Sequence, residues 1–345
     1  MSYTNGLDKP SDYFNTKLYT GTGSSGEKAI TGVGFQPDWL WIKNRTVAQE
    51  HWLADSVRGT TKFLESNSTN AESSDGATGL ASFDSDGFTL GTGSDRTNDL
   101  NESMVAWCWL GGGTASSNTD GSITSSVSAN QTAGFSIVSY TGTASNATVG
   151  HGLGVAPACF ITKSRVNAEN WGFYHQSLGN GKQLELNTIA AQKTSSAYYN
   201  NTSPTSTVFS IGTADSTNDN QNMIAYCFAE KKGYSKFSSY SGNGNANGNF
   251  NYLGFLPSLI ILKGNNTENW SMYDNKRLGY NVDNNVLYPN ATSTEGNSDD
   301  IDFLSNGFKI RRQTGLLNDS GVEYIYMAFA ENPFVTSTGI PTTAR

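Results

Sequence analysis

The strongest constraint on this chain is a stretch that it carries three times. A glycine turn leads to a proline, five mostly apolar residues follow, and a lysine closes the run. The copies are Pro37-Asp38-Trp39-Leu40-Trp41-Ile42-Lys43, Pro157-Ala158-Cys159-Phe160-Ile161-Thr162-Lys163 and Pro257-Ser258-Leu259-Ile260-Ile261-Leu262-Lys263, with identical spacing from proline to lysine. Proline gives no N–H to a ladder, so it belongs at the mouth of a strand, and the apolar run behind it is that strand. Side chains alternate along a strand, which puts Trp39 and Trp41 on one face and Leu40 and Ile42 on the other. Both faces are apolar, so both must be covered. The stretch is the central strand of a module built three times.

The flanks repeat with it. Residues 14–21, 135–142 and 234–242 alternate apolar and polar side chains before a glycine, the pattern of a half-buried strand. A tryptophan follows each central strand: Trp52, Trp171 and Trp270. Leu64-Glu65-Ser66-Asn67 and Leu184-Glu185-Leu186-Asn187 come next, with a weaker match at Val282-Asp283-Asn284-Asn285. Phe83-Asp84-Ser85-Asp86-Gly87-Phe88 and Phe303-Leu304-Ser305-Asn306-Gly307-Phe308 read as hairpins on Asp-Gly and Asn-Gly turns. Each copy closes on an aromatic strand, at residues 104–109, 223–228 and 324–329.

Recurrence at about 100 residues is too long for a propeller blade or a solenoid turn. The expected fold is all-β, with three tandem antiparallel β-sandwich-like modules at residues 13–110, 133–232 and 233–332. Residues 1–12 read as an N-terminal attachment arm, 111–132 as a Ser/Thr/Gly-rich linker and 333–345 as a C-terminal tail. The modules pack in a ring or lie in a row.

Charged residues make up only 15% of the chain, which suits short strands joined by polar turns better than long surface helices. A formal charge of −8 without any basic run argues against binding a nucleic acid. No stretch approaches the roughly 18 apolar residues of a membrane helix, and the N-terminus shows no signal-peptide pattern. Cys108 and Cys227 hold the same place in two modules and should not face each other. With Cys159 they are expected as free, buried thiols of a reducing cytosol.

No catalytic motif, cofactor loop or metal site is expected. Asp84-Ser85-Asp86-Gly87 lacks the further ligands of a calcium loop, and His51, His151 and His175 lack zinc spacing. Serine has no nucleophile elbow, and no carboxylate pair recurs in a setting that would separate two pKa values. Two sets remain as surface ligand candidates. Trp52, Trp171 and Trp270 are either core anchors or a platform on which a sugar stacks. Asp55 with Arg58, Asp274 with Arg277, and His175 in the aspartate's place are either loop-bracing pairs or a sugar or metal contact. Lys43, Lys163 and Lys263 should pack their stems and reach water with their ammonium groups.

Pro10-Ser11-Asp12-Tyr13-Phe14-Asn15-Thr16, the first glycine–proline stretch, Ser82-Phe83-Asp84-Ser85-Asp86-Gly87-Phe88, and the closing Ala328-Phe329-Ala330-Glu331-Asn332-Pro333-Phe334 with Ala344-Arg345 together resemble a repeat family in tail-fibre-like proteins of marine bacteriophages. The resemblance covers nearly the whole chain. It implies a non-enzymatic virion structural protein, assembled in the host cytoplasm and placed on the tail as a fibre or tip adhesin. Its implied partners are other virion proteins, further copies of itself, with a trimer favoured, and a host surface glycan or protein. Capsid decoration or a head fibre is the alternative. A polysaccharide depolymerase is a more distant one, since it needs two carboxylates set in a cleft.

Overall fold

The computed structural model describes residues 6–76, 78–277, 281, 285–297, 300–313 and 315–342. The fold is all-β. Its named strands pair antiparallel, and the α-helices Ser196–Tyr199 and Asp215–Asn218 are single turns.

The repeated strand lies inside each main sheet. In the first repeat the hydrogen-bonded order is Phe14–Thr20, Ser103–Trp109, Trp39–Asn44, Trp52–Asp55. The third follows the same order with Ser235–Ser241, Glu323–Pro333, Phe255–Gly264 and Ser271–Asp274. The second holds Phe135–Thr141, Asn222–Phe228, Cys159–Ser164 and Gly172–His175 in that order within a wider sheet. Register agrees as well: Trp39 is opposite Trp109, Cys159 opposite Phe228, and Leu259 opposite Phe329. A small second sheet covers one face of each main sheet. It is Lys28–Thr31, Gly87–Leu90, Leu80–Asp84 in the first repeat and Phe250–Tyr252, Gly307–Ile310, Ile301–Leu304 in the third. In the second repeat it is Ala147–Gly150 with Val208–Ile211.

The two faces of the central strand are buried by different partners. Leu40 and Ile42 pack with Phe88 and Leu90 inside the first sandwich. Trp39 and Trp41 enter a core shared by all three repeats, where Cys159 and Ile161, and Leu259 and Ile261, hold the same inward face. There Trp109, Phe228 and Phe329, equivalent by register, converge. Ring centroids are 5.7 Å apart for Trp109 and Phe329 and 5.8 Å for Phe228 and Phe329. Burying an aromatic side chain removes roughly 150–250 Å² from water. The repeats are therefore fused through one apolar hub, as a ring about a pseudo-threefold axis and not as a row.

Several segments differ from the sequence expectation. Residues 111–132 carry the strands Ser116–Asn118 and Ser125–Asn130, which extend the second main sheet beyond Phe135–Thr141. Small hydroxyl side chains, read as a Ser/Thr/Gly-rich linker, here line a sheet edge. Residues 6–12, read as part of an attachment arm, pack against the rest of the chain. Leu7 is buried in the shared core, and Ser337 donates its N–H to Asp8 at 2.7 Å. In the first hairpin Asp84 is opposite Gly87, so Ser85 and Asp86 form the turn and Gly87 opens the return strand. Glycine is required there by close approach, because a Cβ on Gly87 would lie 1.9 Å from Ile30 O. Asp86 accepts the N–H of Gly34 (2.7 Å) and Gly32 (3.0 Å), and those bonds lower its carboxyl pKa.

Candidate functional site

All eight candidate residues are buried, at 8% relative exposure or less. None offers a face to a ligand from solvent. All but Trp52 lie in the seams between repeats.

In the seam between the first and second repeats, Asp55 ends its strand with Oδ1 accepting the N–H of Val57 (3.1 Å) and Arg58 (2.9 Å). Its Oδ2 takes Arg58 Nε at 2.5 Å and the hydroxyl of Tyr226, from the second repeat, at 2.8 Å. Arg58 also donates to Leu53 O and to Tyr226 Oη, both at 3.0 Å. Burial opposes the Arg58 charge, but Asp55, Tyr226 and Glu72 outweigh it and raise its pKa. Glu72 lies 3.3 Å from Arg58 and receives a forked pair from Arg165 of the second repeat, at 2.8 and 3.0 Å.

The seam between the third and first repeats has the same construction. Asp274 Oδ1 accepts the N–H of Lys276 and Arg277, both at 3.0 Å, and Oδ2 takes Arg277 Nε at 2.6 Å. The donor from the neighbouring repeat is Trp107 Nε1, at 2.9 Å, and the Arg277 guanidinium sits 5.5 Å above the Trp107 ring. Glu295 bridges Arg277 (3.0 Å) and Arg45 of the first repeat (2.8 and 2.9 Å).

The seam between the second and third repeats departs in a compensated way. Register puts Met327 where Tyr226 and Trp107 stand, and a thioether has no proton to give an aspartate. The aspartate's place is taken by His175, whose Nε2–H donates to Tyr326 O at 3.2 Å while Nδ1 accepts Ser177 N–H at 3.1 Å. Burial pushes this imidazole down to about 4, so it is neutral. Each seam also has a backbone bond at one place: Glu72 N to Arg165 O (2.9 Å), Gln192 N to Asn265 O (3.1 Å) and Glu295 N to Arg45 O (2.8 Å).

A second ring of ties corrects the tryptophan alignment. Ile42 is opposite Trp52, Thr162 opposite Gly172 and Leu262 opposite Ser271, so Trp52 is one residue out of step with Trp171 and Trp270. His51 is their equivalent. Trp171 Nε1 donates to Glu65 O at 2.9 Å, Trp270 Nε1 to Glu185 O at 2.9 Å, and His51 Nε2–H to Tyr288 O at 3.0 Å. Each bond crosses to a different repeat, and together they close the ring. Trp52 stays inside the first repeat, donating to Asp75 at 3.2 Å and stacking on Phe63 at 5.9 Å. The spacing signals this, since Lys43 to His51 equals Lys163 to Trp171.

The three lysines do not reach water. Lys43, Lys163 and Lys263 are fully buried and donate to Asn44 O, Ser164 O and Gly264 O at 2.6, 2.8 and 2.9 Å. Burial lowers each to about 8. A further set was missed in the sequence. Asn98, Asn218 and Asn318 each precede an aspartate and accept the N–H of Thr22, Thr143 and Asn243 at 2.7–2.9 Å. The recurring Asn-Asp pair ahead of every closing strand was the available signal.

What these residues do is hold repeats together. Asp55 and Asp274 are committed to guanidinium groups, and among the described residues no cluster of His, Cys, Asp or Glu is arranged to hold a metal ion. Residues 9–333, which take in all three repeats and their seams, match a family known as a domain of unknown function, DUF7483. The chain belongs to the DUF7483 family. No curated protein and no solved structure matches it. The DUF7483 match spans the complete ring, so the unit that the family describes is the closed set of three repeats.

Proposed function

We propose that this DUF7483 protein is a non-enzymatic structural component of a bacteriophage virion, carried at the tail where it contacts the host surface. One observation carries the reading. The recurring charged and aromatic residues are used to fuse three β units into a closed ring, through buried ties such as Asp55–Tyr226 and Asp274–Trp107. Both carboxylates are spent on guanidinium, hydroxyl and indole donors across the seams, and a load-carrying particle component benefits from units tied together in this way. The sequence resemblance supplies the particle.

A trimer of chains was expected on the habit of fibres. The pseudo-threefold arrangement inside one chain supplies a second way to meet a threefold fibre, with a single copy capping its end. Imaging the purified particle at near-atomic resolution tests the proposal. A few copies at the tail are the expected result. Hundreds on the head would overturn it in favour of decoration, and the mass of the purified chain separates monomer from trimer.

A further inference from the structure

The outer strands of the three small sheets are equivalent by register, since Ile30, Val149 and Asn251 face Phe88, Phe209 and Phe308. The chain treats the three edges differently. In the second repeat the edge is covered by the chain itself: Ile123 N donates to Thr148 O at 3.0 Å, Ser122 Oγ accepts Thr148 N–H at 2.9 Å, and Ser125 Oγ donates to Gly150 O at 2.8 Å. In the first repeat the edge Lys28–Thr31 carries no large apolar side chain outward and begins with a lysine, a residue that discourages strand pairing.

In the third repeat the edge is Phe250–Tyr252. Ile310 N donates to Asn249 O and Leu253 N to Asn306 O, so residues 249, 251 and 253 bond inward. The N–H and C=O groups of Phe250 and Tyr252 therefore point away from the sheet, as those of Thr148 and Gly150 do. No described strand pairs with them; Lys236 Nζ occupies Tyr252 O at 2.8 Å. Both residues are open to solvent, at 46% and 55%. A cleft of about 220 Å³ beside Tyr252 is lined by Leu253, Phe334 and Val335 with Glu230, Lys232 and Lys236.

We infer that the Phe250–Tyr252 edge is a docking site for an extended strand of a partner polypeptide, which would complete the edge that in the second repeat is closed by the Ile123 bridge to Val149 and the Ser122 and Ser125 hydroxyls. Main-chain bonds to Phe250 and Tyr252 hold the strand, displacing the Lys236 ammonium, and the two rings and the cleft receive its side chains. The inference stands apart from the virion reading, because it concerns the isolated chain.

The test uses the chain's own precedent as probe: a synthetic peptide of residues 116–130 added to the purified full chain, read by amide hydrogen exchange. Exchange at residues 249–253 should slow about tenfold or more with millimolar peptide, while residues 28–31 remain unchanged. Phe250→Lys with Tyr252→Lys should abolish the protection. Lys236→Ala, which frees Tyr252 O and leaves the core untouched, should lower the peptide concentration needed. Absent protection, equal protection at residues 28–31, or protection that survives the double lysine variant would each overturn the inference. So would concentration-dependent protection without peptide, which would assign the edge to pairing between copies of this chain.

Discussion

Tyr226 and Asp55 meet at 2.8 Å with both side chains fully buried, although they belong to different repeats. Arg58 completes the group, so the carboxylate faces one charge and one hydroxyl in a buried site. Removing one member of a buried ion pair leaves the other unpaired and typically costs about 3–5 kcal/mol. Asp55→Ala should therefore destabilise the chain by about that amount in denaturant titration. Tyr226→Phe, which removes only the hydroxyl, should cost about 1–3 kcal/mol. A neutral result for Asp55→Ala would mean that the seam contributes nothing to stability.

The His175 seam responds to acid. Its folded pKa is about 4, against an ordinary value of 6.5, so the unfolded chain binds the proton first as pH falls. The contribution is fully present above pH 6.5 and is lost between 6.5 and 4, up to about 3 kcal/mol at 1.36 kcal/mol per unit. His51, also depressed by burial, adds loss in the same direction, so the wild type alone does not isolate His175. His175→Gln keeps a donor for Tyr326 O and removes the titration. The stability difference between wild type and variant should shift toward the variant on going from pH 7 to pH 4.5. Parallel pH profiles would exclude His175 as a contributor.

The central strands were legible because period-two patterning and the proline-to-lysine spacing are local signals, and the same holds for the three aromatic closing strands. Trp52 was aligned by residue type where spacing pointed to His51. The strands within residues 111–132 were hidden because serine and threonine serve edges and loops alike. The seams were not legible, because Asp55 and Tyr226 are distant in sequence and nothing near either one marks the other. The exchange of aspartate for His175 opposite Met327 makes sense only once the register between repeats is known. The third match at residues 282–284 lies outside the described residues, as does Ala344-Arg345. Register assigns the place of Leu64 and Leu184 to Leu287, through its bridge to Met272.

The buried lysines give the same pH sign as His175, in an alkaline window. Lys163 has a folded pKa of about 8 against 10.5 unfolded, so between those values the unfolded chain holds more protons and stability rises with pH. Lys163→Met removes that gain together with the bond to Ser164 O. The destabilisation caused by Lys163→Met should thus be larger at pH 10 than at pH 7, by up to about 3 kcal/mol. Measuring it as a difference cancels the tyrosines and cysteines, whose ionisation in the unfolded chain works the other way. A difference that shrinks with pH would mean that the ammonium is hydrated in the fold.

The free thiols report whether the ring opens as one body. Cys159 lies in the shared hub, whereas Cys108 and Cys227 lie inside the first and second sandwiches. Burial raises the pKa of all three, so neither access nor thiolate character favours reaction in the native state. A thiol-specific reagent at pH 8 should leave them unmodified in the native chain and modify all three in denaturant. Because Leu40, Ile42, Trp39 and Trp41 are neighbours on one strand, a sandwich cannot peel away without exposing the hub. In partial denaturant the three should therefore react at one common rate. Cys108 and Cys227 reacting while Cys159 stays protected would show sandwiches opening around an intact hub, and the closed ring would no longer be the cooperative unit.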